Sequence, residues 1–363
     1  MKQIFIMLLW FFGISLTYAE PMTMTISNPT AAQRHELVEI DMRQWGLDVK
    51  HGLLVRDAFG IEQPTQRTQD GKLLVYVSVR PNGKAVYTID KGWPVPVNSF
   101  VGGRQYPERL EDISFENDRI GFRLYGPGLQ KSGEKGFGHD VWVKRTPELI
   151  LDELYRNLRW ISFHCDYDKG LDCYAVGPTL GCGTPALLKD GKIQYPWCYE
   201  RYRIIENGPL RFMLQVDFAT TADGTTEHRI LTLDRGSNFC EATVWYDGIK
   251  TPTDVAAGFA IREKGATTVT TGDGYIQYAD PTIDPEKHQC QIYVALLFPD
   301  TKVDITEMEN HALGIKRQYK GERFHYYFGA AWSEYDVRSQ EEWQARINGF
   351  IEARKNPLTV TIK

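Results

Sequence analysis

Apolar and polar residues alternate in short runs along most of the chain. Met22-Thr-Met24-Thr-Ile26 near the start and Leu358-Thr-Val360-Thr-Ile362 at the end keep a strict period of two, the spacing of strands that bury one face. Between them, Leu73 to Val79, Ala85 to Ile89, Ile120 to Tyr125, Leu210 to Phe218, His228 to Leu233, Phe239 to Tyr246, Cys290 to Phe298 and Phe324 to Ala331 read the same way. Turn formers punctuate these runs: Pro81-Asn82-Gly83, Asp190-Gly191, Asn207-Gly208-Pro209, Asp223-Gly224, Asp234-Arg235-Gly236, Asp247-Gly248 and Gly272-Asp273-Gly274. Many short strands at such spacing predict stacked antiparallel sheets.

One segment has a helical period instead. Ser339 and Glu342 form a capping box, and Trp343, Ile347, Phe350 and Ile351 follow at spacings of three and four. The pattern predicts a helix from about Ser339 to Lys355, packed on the sheet just before the last strand. No repeat, low-complexity tract or linker interrupts the rest, so residues 20–363 read as a single β domain.

The first residues carry a different signature. Lys2 is followed by an apolar run from Ile4 to Leu16 and by Thr17-Tyr18-Ala19, the layout of a secretory signal cleaved after Ala19. The run falls short of the roughly 20 residues that span a bilayer, so a membrane anchor is disfavoured and the mature chain reads as periplasmic or secreted. Losing Lys2 with the leader moves the formal charge from −5 to −6. No basic patch of the kind nucleic acid requires is present. An oxidising compartment permits disulfides among Cys165, Cys173, Cys182, Cys198, Cys240 and Cys290. A bridge within the crowded stretch from 165 to 198 and buried free thiols are both open readings.

Candidate chemistry concentrates between Pro127 and Pro196, where the clean alternation is lost and glycines multiply. Long loops on a β scaffold are where function gathers. Phe163-His164-Cys165-Asp166-Tyr167-Asp168-Lys169-Gly170-Leu171-Asp172-Cys173-Tyr174 is the densest polar cluster. It offers an imidazole base, three carboxylates and a phenol. Asp166 and Asp168 lack the full calcium-loop pattern and the cysteines lack a C-x2-C pair, so neither a metal nor a cofactor is expected. Just upstream, Glu116-Asn117-Asp118-Arg119 leads into Arg123. Arg119 and Arg123, four apart on a strand, would present two planar forks on one face to a carboxylate or sulfate. The same residues suit a solvated face with each Arg paired to Glu116 or Asp118. The spacing Gly177-Pro178-Thr179-Leu180-Gly181-Cys182-Gly183 lacks the ending of a phosphate-binding loop and reads as a close backbone approach or a corner. No G-x-S-x-G or H-E-x-x-H is present, which disfavours a serine hydrolase or zinc protease. Aromatics make up 12% of the chain, enough for sugar platforms as well as core, and Trp332 is the candidate platform.

Four blocks occur in order: Pro107-Glu108-Arg109; Glu116 through Pro127; Asp140-Val141-Trp142-Val143-Lys144-Arg145-Thr146-Pro147; and Gly170 through Gly183. Together they resemble the DUF4861 family of exported bacterial proteins, across most of the mature chain. Gly121 departs from the Ala expected there. The resemblance implies a large β-sandwich similar to the galactose-mutarotase-like supersandwich. It also implies a place among polysaccharide-degrading enzymes, some members resembling dehydratases that remove water from a terminal uronic acid. It carries no catalytic assignment.

The residues fit such chemistry. Charge builds on the uronate carboxylate as the neighbouring proton leaves, so Arg119, Arg123 or Asn117 would meet it. His164 would take the proton, Asp172 would orient His164, and Tyr174 would protonate the leaving hydroxyl. Glu116 and Trp332 complete the expected oligosaccharide site, with His139 and the Tyr326–Trp332 strand in reserve. Two rival classes use the same loops. A glycoside hydrolase would set Glu116 and Asp172 across the bond, and a noncatalytic sugar-binding protein would need no base.

Overall fold

The structure, a computed structural model, describes residues 21–47, 52–166, 168–262 and 268–363; the expected leader, residues 1–19, lies outside them. Of the described residues 47% are in strands and 9% in helices, a mainly antiparallel β fold with the expected helix near its C-terminus. Strands whose sequence alternates form where the pattern places them. Arg211–Asp217 and Thr226–Asp234 alternate buried and half-buried residues over their whole length.

The main body is a sandwich. One layer is an eight-stranded sheet in the order Arg201–Asn207, Arg211–Asp217, Thr226–Asp234, Phe239–Asp247, Phe324–Trp332, Ile292–Leu297, Tyr275–Asp280 and Thr270–Gly272. Two five-stranded sheets pack on it. The first runs Gly170–Leu171, Asp140–Lys144, Ile120–Leu124, Asp112–Asn117 and Val101–Tyr106; the second runs Lys192–Gln194, Cys182–Lys189, Thr253–Ala260, His311–Tyr319 and Asp304–Met308. The largest apolar cluster lies between these layers and includes Phe115, Phe122, Phe212, Leu231, Phe259 and Phe328.

The two five-stranded sheets are joined by a parallel bridge between His139 and Gly181. Gly181 has φ +55, and a Cβ there would lie 2.2 Å from the His139 carbonyl oxygen. A Cβ on Gly138 would lie 2.1 Å from the Leu180 carbonyl carbon. The glycines of the 177–183 stretch therefore let one backbone approach another.

A second apolar cluster belongs to the chain ends. Met22–Ser27 pairs with both Thr359–Ile362 and Lys84–Lys91, with Leu53–Asp57 beyond. Facing this four-stranded sheet is a three-stranded one of Arg34–Asp41, Lys72–Val79 and Thr65–Arg67. Pro81-Asn82-Gly83 carries the chain from one of these sheets to the other.

The C-terminal helix, Gln340–Lys355, packs on the outer face of the eight-stranded sheet through Trp343, Ile347 and Ile351, with Phe350 at the margin. Ser339 caps it by accepting from the Glu342 amide at 3.2 Å. The Glu342 carboxylate accepts from Arg338 N, one residue before the reciprocal partner a capping box predicts. Two short helices, Pro127–Ser132 and Leu151–Asn157, lie in the stretch read as loop. The strands Asp140–Lys144 and Cys182–Lys189 escaped the alternation test because both of their faces are covered.

Candidate functional site

In the first five-stranded sheet, Ile113, Phe115, Ile120, Phe122, Val141 and Val143 enter the core between layers. The alternate positions, Asp112, Ser114, Glu116, Arg123, Asp140, Trp142 and Lys144, share the other face. Ile150 to Phe163, including the helix Leu151–Asn157, pack on that face, and all seven are buried. A Cβ at Gly121 would stand 3.1 Å from Trp142 Cβ and 3.3 Å from Glu116 Cβ, so the face is also tight.

Two charge clusters occupy this covered face. Lys144 Nζ lies 2.6 Å from Glu116 Oε2 and donates to the Asn117 carbonyl at 2.6 Å. Glu116 Oε1 accepts from the amides of Ile150 and Leu151, each at 2.7 Å. Glu116 is thus a buried bracket that seats the start of a helix, not the sugar ligand expected. It also cannot pair with Asp172 across a glycosidic bond, since both are buried. In the second cluster Arg123 pairs with Asp140, with Asp172 Oδ2 at 3.0 Å and with Asp112 Oδ2 at 4.0 Å. Three carboxylates share one guanidinium. Burial, then the Asp140 charge, push Asp172 well above the usual carboxylate range, and burial raises Asp112 to about 6.

His164 stands at the solvent edge of this cluster, its side chain 46% exposed. Its Nδ1 is 2.8 Å from the Asp172 carbonyl oxygen and 3.8 Å from the carboxylate. The hydrogen bond to the imidazole therefore comes from the Asp172 backbone and not, as expected, from its carboxylate. A carbonyl oxygen can only accept, so Nδ1 carries the hydrogen of that contact.

Arg119 and Arg123 do not share a face. Strand pairing begins at Ile120, and Arg119 belongs to the turn that Asn117 Oδ1 holds by accepting from the amides of Arg119 (2.9 Å) and Ile120 (3.0 Å). Arg119 Nε donates to Gly236 O at 2.6 Å and its Nη1 pairs with Asp336. Asn117, fully buried, donates to Asp234 O and Ser237 O. Both residues stitch one sheet to a turn of the other, so neither is the free carboxylate ligand expected. Tyr174 is buried, and its hydroxyl donates to Gly181 O at 2.9 Å, so its proton is engaged by the backbone and it is not the free acid expected. Trp332 is 3% exposed and its Nε1 reaches Cys290 Sγ at 3.1 Å, which removes it as an open sugar platform. The six cysteines are free thiols.

Arg145 was missed. It follows Lys144 at the end of a strand and lies over the Trp332 ring, 4.5 Å from its centroid. It pairs with Asp166 at 2.9 Å and Glu334 at 2.6 Å. Asp166 is two residues beyond His164, so this half-exposed cation edges the same loop. A second charged group lies on the inner side. Glu227 and Arg229 occupy core-facing positions of the strand Thr226–Asp234, and Arg229 Nη1 lies 3.0 Å from Nε2 of the reserve residue His139. Their position in the alternation, in step with Leu231 and Leu233, was a readable signal. Among the described residues no group of three or more His, Cys, Asp or Glu side chains is placed to hold a metal ion.

The DUF4861 profile, described as a domain of unknown function, matches residues 26–360. The chain belongs to the DUF4861 family. An uncharacterized protein, P7, of Formosa agariphila is 27% identical to this DUF4861 protein over 321 residues, covering 81% of this chain and 80% of the relative. Among solved structures, an α-mannosidase from Enterococcus faecalis V583 aligns with a TM-score of 0.52 at 9% identity, over 94% of this chain and 46% of the mannosidase. A protein of glycosyl hydrolase family 38 from Enterococcus faecalis gives 0.50 at 8% identity, over 94% and 47%. The DUF4861 chain spans about half the length of these structures, and the likeness is one of fold.

Proposed function

We propose that this DUF4861 protein is a carbohydrate-active lyase, exported to the periplasm or beyond, that eliminates water from a terminal uronic acid of an oligosaccharide. The observation that carries the reading is His164: a half-exposed imidazole whose Nδ1–H is spent on the Asp172 carbonyl, leaving Nε2 to accept a proton. Elimination breaks the C–H bond beside the carboxylate, forms the C=C bond and expels the neighbouring hydroxyl. The proton taken by Nε2 returns to that hydroxyl, so water leaves and the imidazole is restored. Arg145 meets the carboxylate on which charge develops. Arg123, Asp140 and Asp172 lie beneath and hold the His164 loop to the sheet.

Incubation with glucuronate-terminated oligosaccharides tests this. The expected product absorbs in the ultraviolet, has lost one water and keeps its chain length. His164→Ala should lower turnover by roughly 10²- to 10⁴-fold with binding retained. Arg145→Lys should raise KM for uronate-terminated sugars and leave neutral ones alone. New reducing ends would instead mark a hydrolase, and binding without product a sugar-binding protein.

A further inference from the structure

We propose that Cys173 and Cys290 are a reactive thiol pair, a modification site at which Cys290 attacks a small-molecule or protein disulfide and Cys173 then closes an intramolecular bridge. The proposal stands apart from the carbohydrate reading. Of the six free cysteines, Cys165 and Cys290 are partly exposed.

Cys173 is fully buried in the core between the layers, and Cys290 packs at the margin of the same cluster. Backbone contacts hold both. The Cys173 carbonyl accepts from Ile283 N at 2.8 Å. Gln291, next to Cys290, donates to the Ser333 hydroxyl at 2.9 Å and accepts from Ser333 N at 3.0 Å. The side chains then meet, the Cys173 thiol hydrogen-bonded to the Cys290 sulfur. Trp332 Nε1 donates to that sulfur at 3.1 Å, and Arg145 lies over the Trp332 ring.

These donors select the nucleophile. The thiolate, not the thiol, attacks a disulfide, and neighbouring donors and cations stabilise it. The Cys173 contact, with Trp332 and Arg145, holds the Cys290 thiol below its ordinary range, against burial and the Glu334 carboxylate. The same contact, with burial, raises the Cys173 thiol, so Cys173 keeps its proton. Burial also raises Cys182, Cys198 and Cys240, which leaves them inert. In the first step the Cys290 thiolate bonds to one sulfur of a disulfide RSSR and expels the other as RS⁻. In the second, Cys173 gives up its proton and its sulfur displaces the remaining RS⁻ from Cys290. The protein loses two hydrogens and RSSR becomes two RSH. The bridge fastens the segment whose Asp172 carbonyl holds His164 to the start of the strand Ile292–Leu297.

The test exposes the reduced mature chain to oxidised glutathione at neutral pH and quenches it with acid. Intact mass should fall by two hydrogens, and peptide mapping should find Cys173 joined to Cys290. Cys173→Ser should stall with one glutathione on Cys290, and Cys290→Ser should form neither the adduct nor the bridge. With limiting iodoacetamide, wild-type Cys290 should be labelled about tenfold faster than Cys165. Mapping of the wild type gives the answer even where a variant fails to fold. No bridge, a bridge between other cysteines, a lasting glutathione adduct on wild-type Cys290, or Cys165 labelled first overturns the proposal.

Discussion

A buried charge at residue scale is settled by its partners, and here they decide which residues are free for chemistry. Among the described residues, Arg123 is the Lys or Arg side chain within ion-pair distance of Asp112, Asp140 and Asp172. Arg123→Met should therefore destabilise the fold by about 3–5 kcal/mol, the cost of stranding buried partners, as read by urea unfolding. Arg119→Lys should cost about 1 kcal/mol through the lost Gly236 contact and leave turnover of uronate oligosaccharides unchanged. A loss of turnover with wild-type stability would return Arg119 to the site. Asp280 gives a pH prediction. Burial, opposed by Arg262, raises its carboxyl to about 6. A raised carboxyl favours the folded state below the unfolded value near 4, and that contribution is lost as pH rises through about 6. Asp280→Asn keeps the Thr282 amide contact made by Oδ1 and removes the titration. Its melting temperature should exceed wild type at pH 7.5 and the gap should narrow by pH 5, with up to about 3 kcal/mol at stake. A gap independent of pH would contradict the assignment.

Elements form where local pattern and packing agree. The C-terminal helix combines the Ser339 cap with a stripe that meets Phe239, Tyr293 and Tyr327 on the sheet. Ser339→Ala should cost about 1 kcal/mol, whereas Trp343→Ala, emptying a fully buried site, should cost about 3–5 kcal/mol. Equal effects in thermal melts would mean that the cap, not the packed face, holds the helix. The strand Asp140–Lys144 shows the opposite case. Its residues Asp140, Trp142 and Lys144 alternate with the core-facing Val141 and Val143, yet they too are buried, beneath the segment from Ile150 to Phe163.

The whole molecule ties its two ends together. Met24 pairs with Ile362 and Ile26 with Val360, and both strands serve the smaller apolar cluster. Removing residues 358–363 should expose that cluster while the large sandwich persists. Hydrogen exchange should then speed up first in Met22–Ser27 and Lys84–Lys91, and uniform acceleration would show that the two clusters unfold as one.

Sequence alone determined the β class, the strands with one covered face and the C-terminal helix, because period-two and period-3.6 patterns are local consequences of burying one side. It also singled out His164 and its loop by density of polar groups. Tertiary structure decided the rest. Asn117 and Arg119 look available in sequence because nothing local marks the carbonyls of Asp234, Gly236 and Ser237 as their partners, more than a hundred residues away. Glu116 looks like a ligand until Lys144 and two helix amides close on it. Arg145 acquires meaning only when sheets bring Trp332 and Asp166 to it, and His139 and Arg229 only when they meet in the core. Burial and pairing of charge are long-range properties, and the chain must fold before they exist.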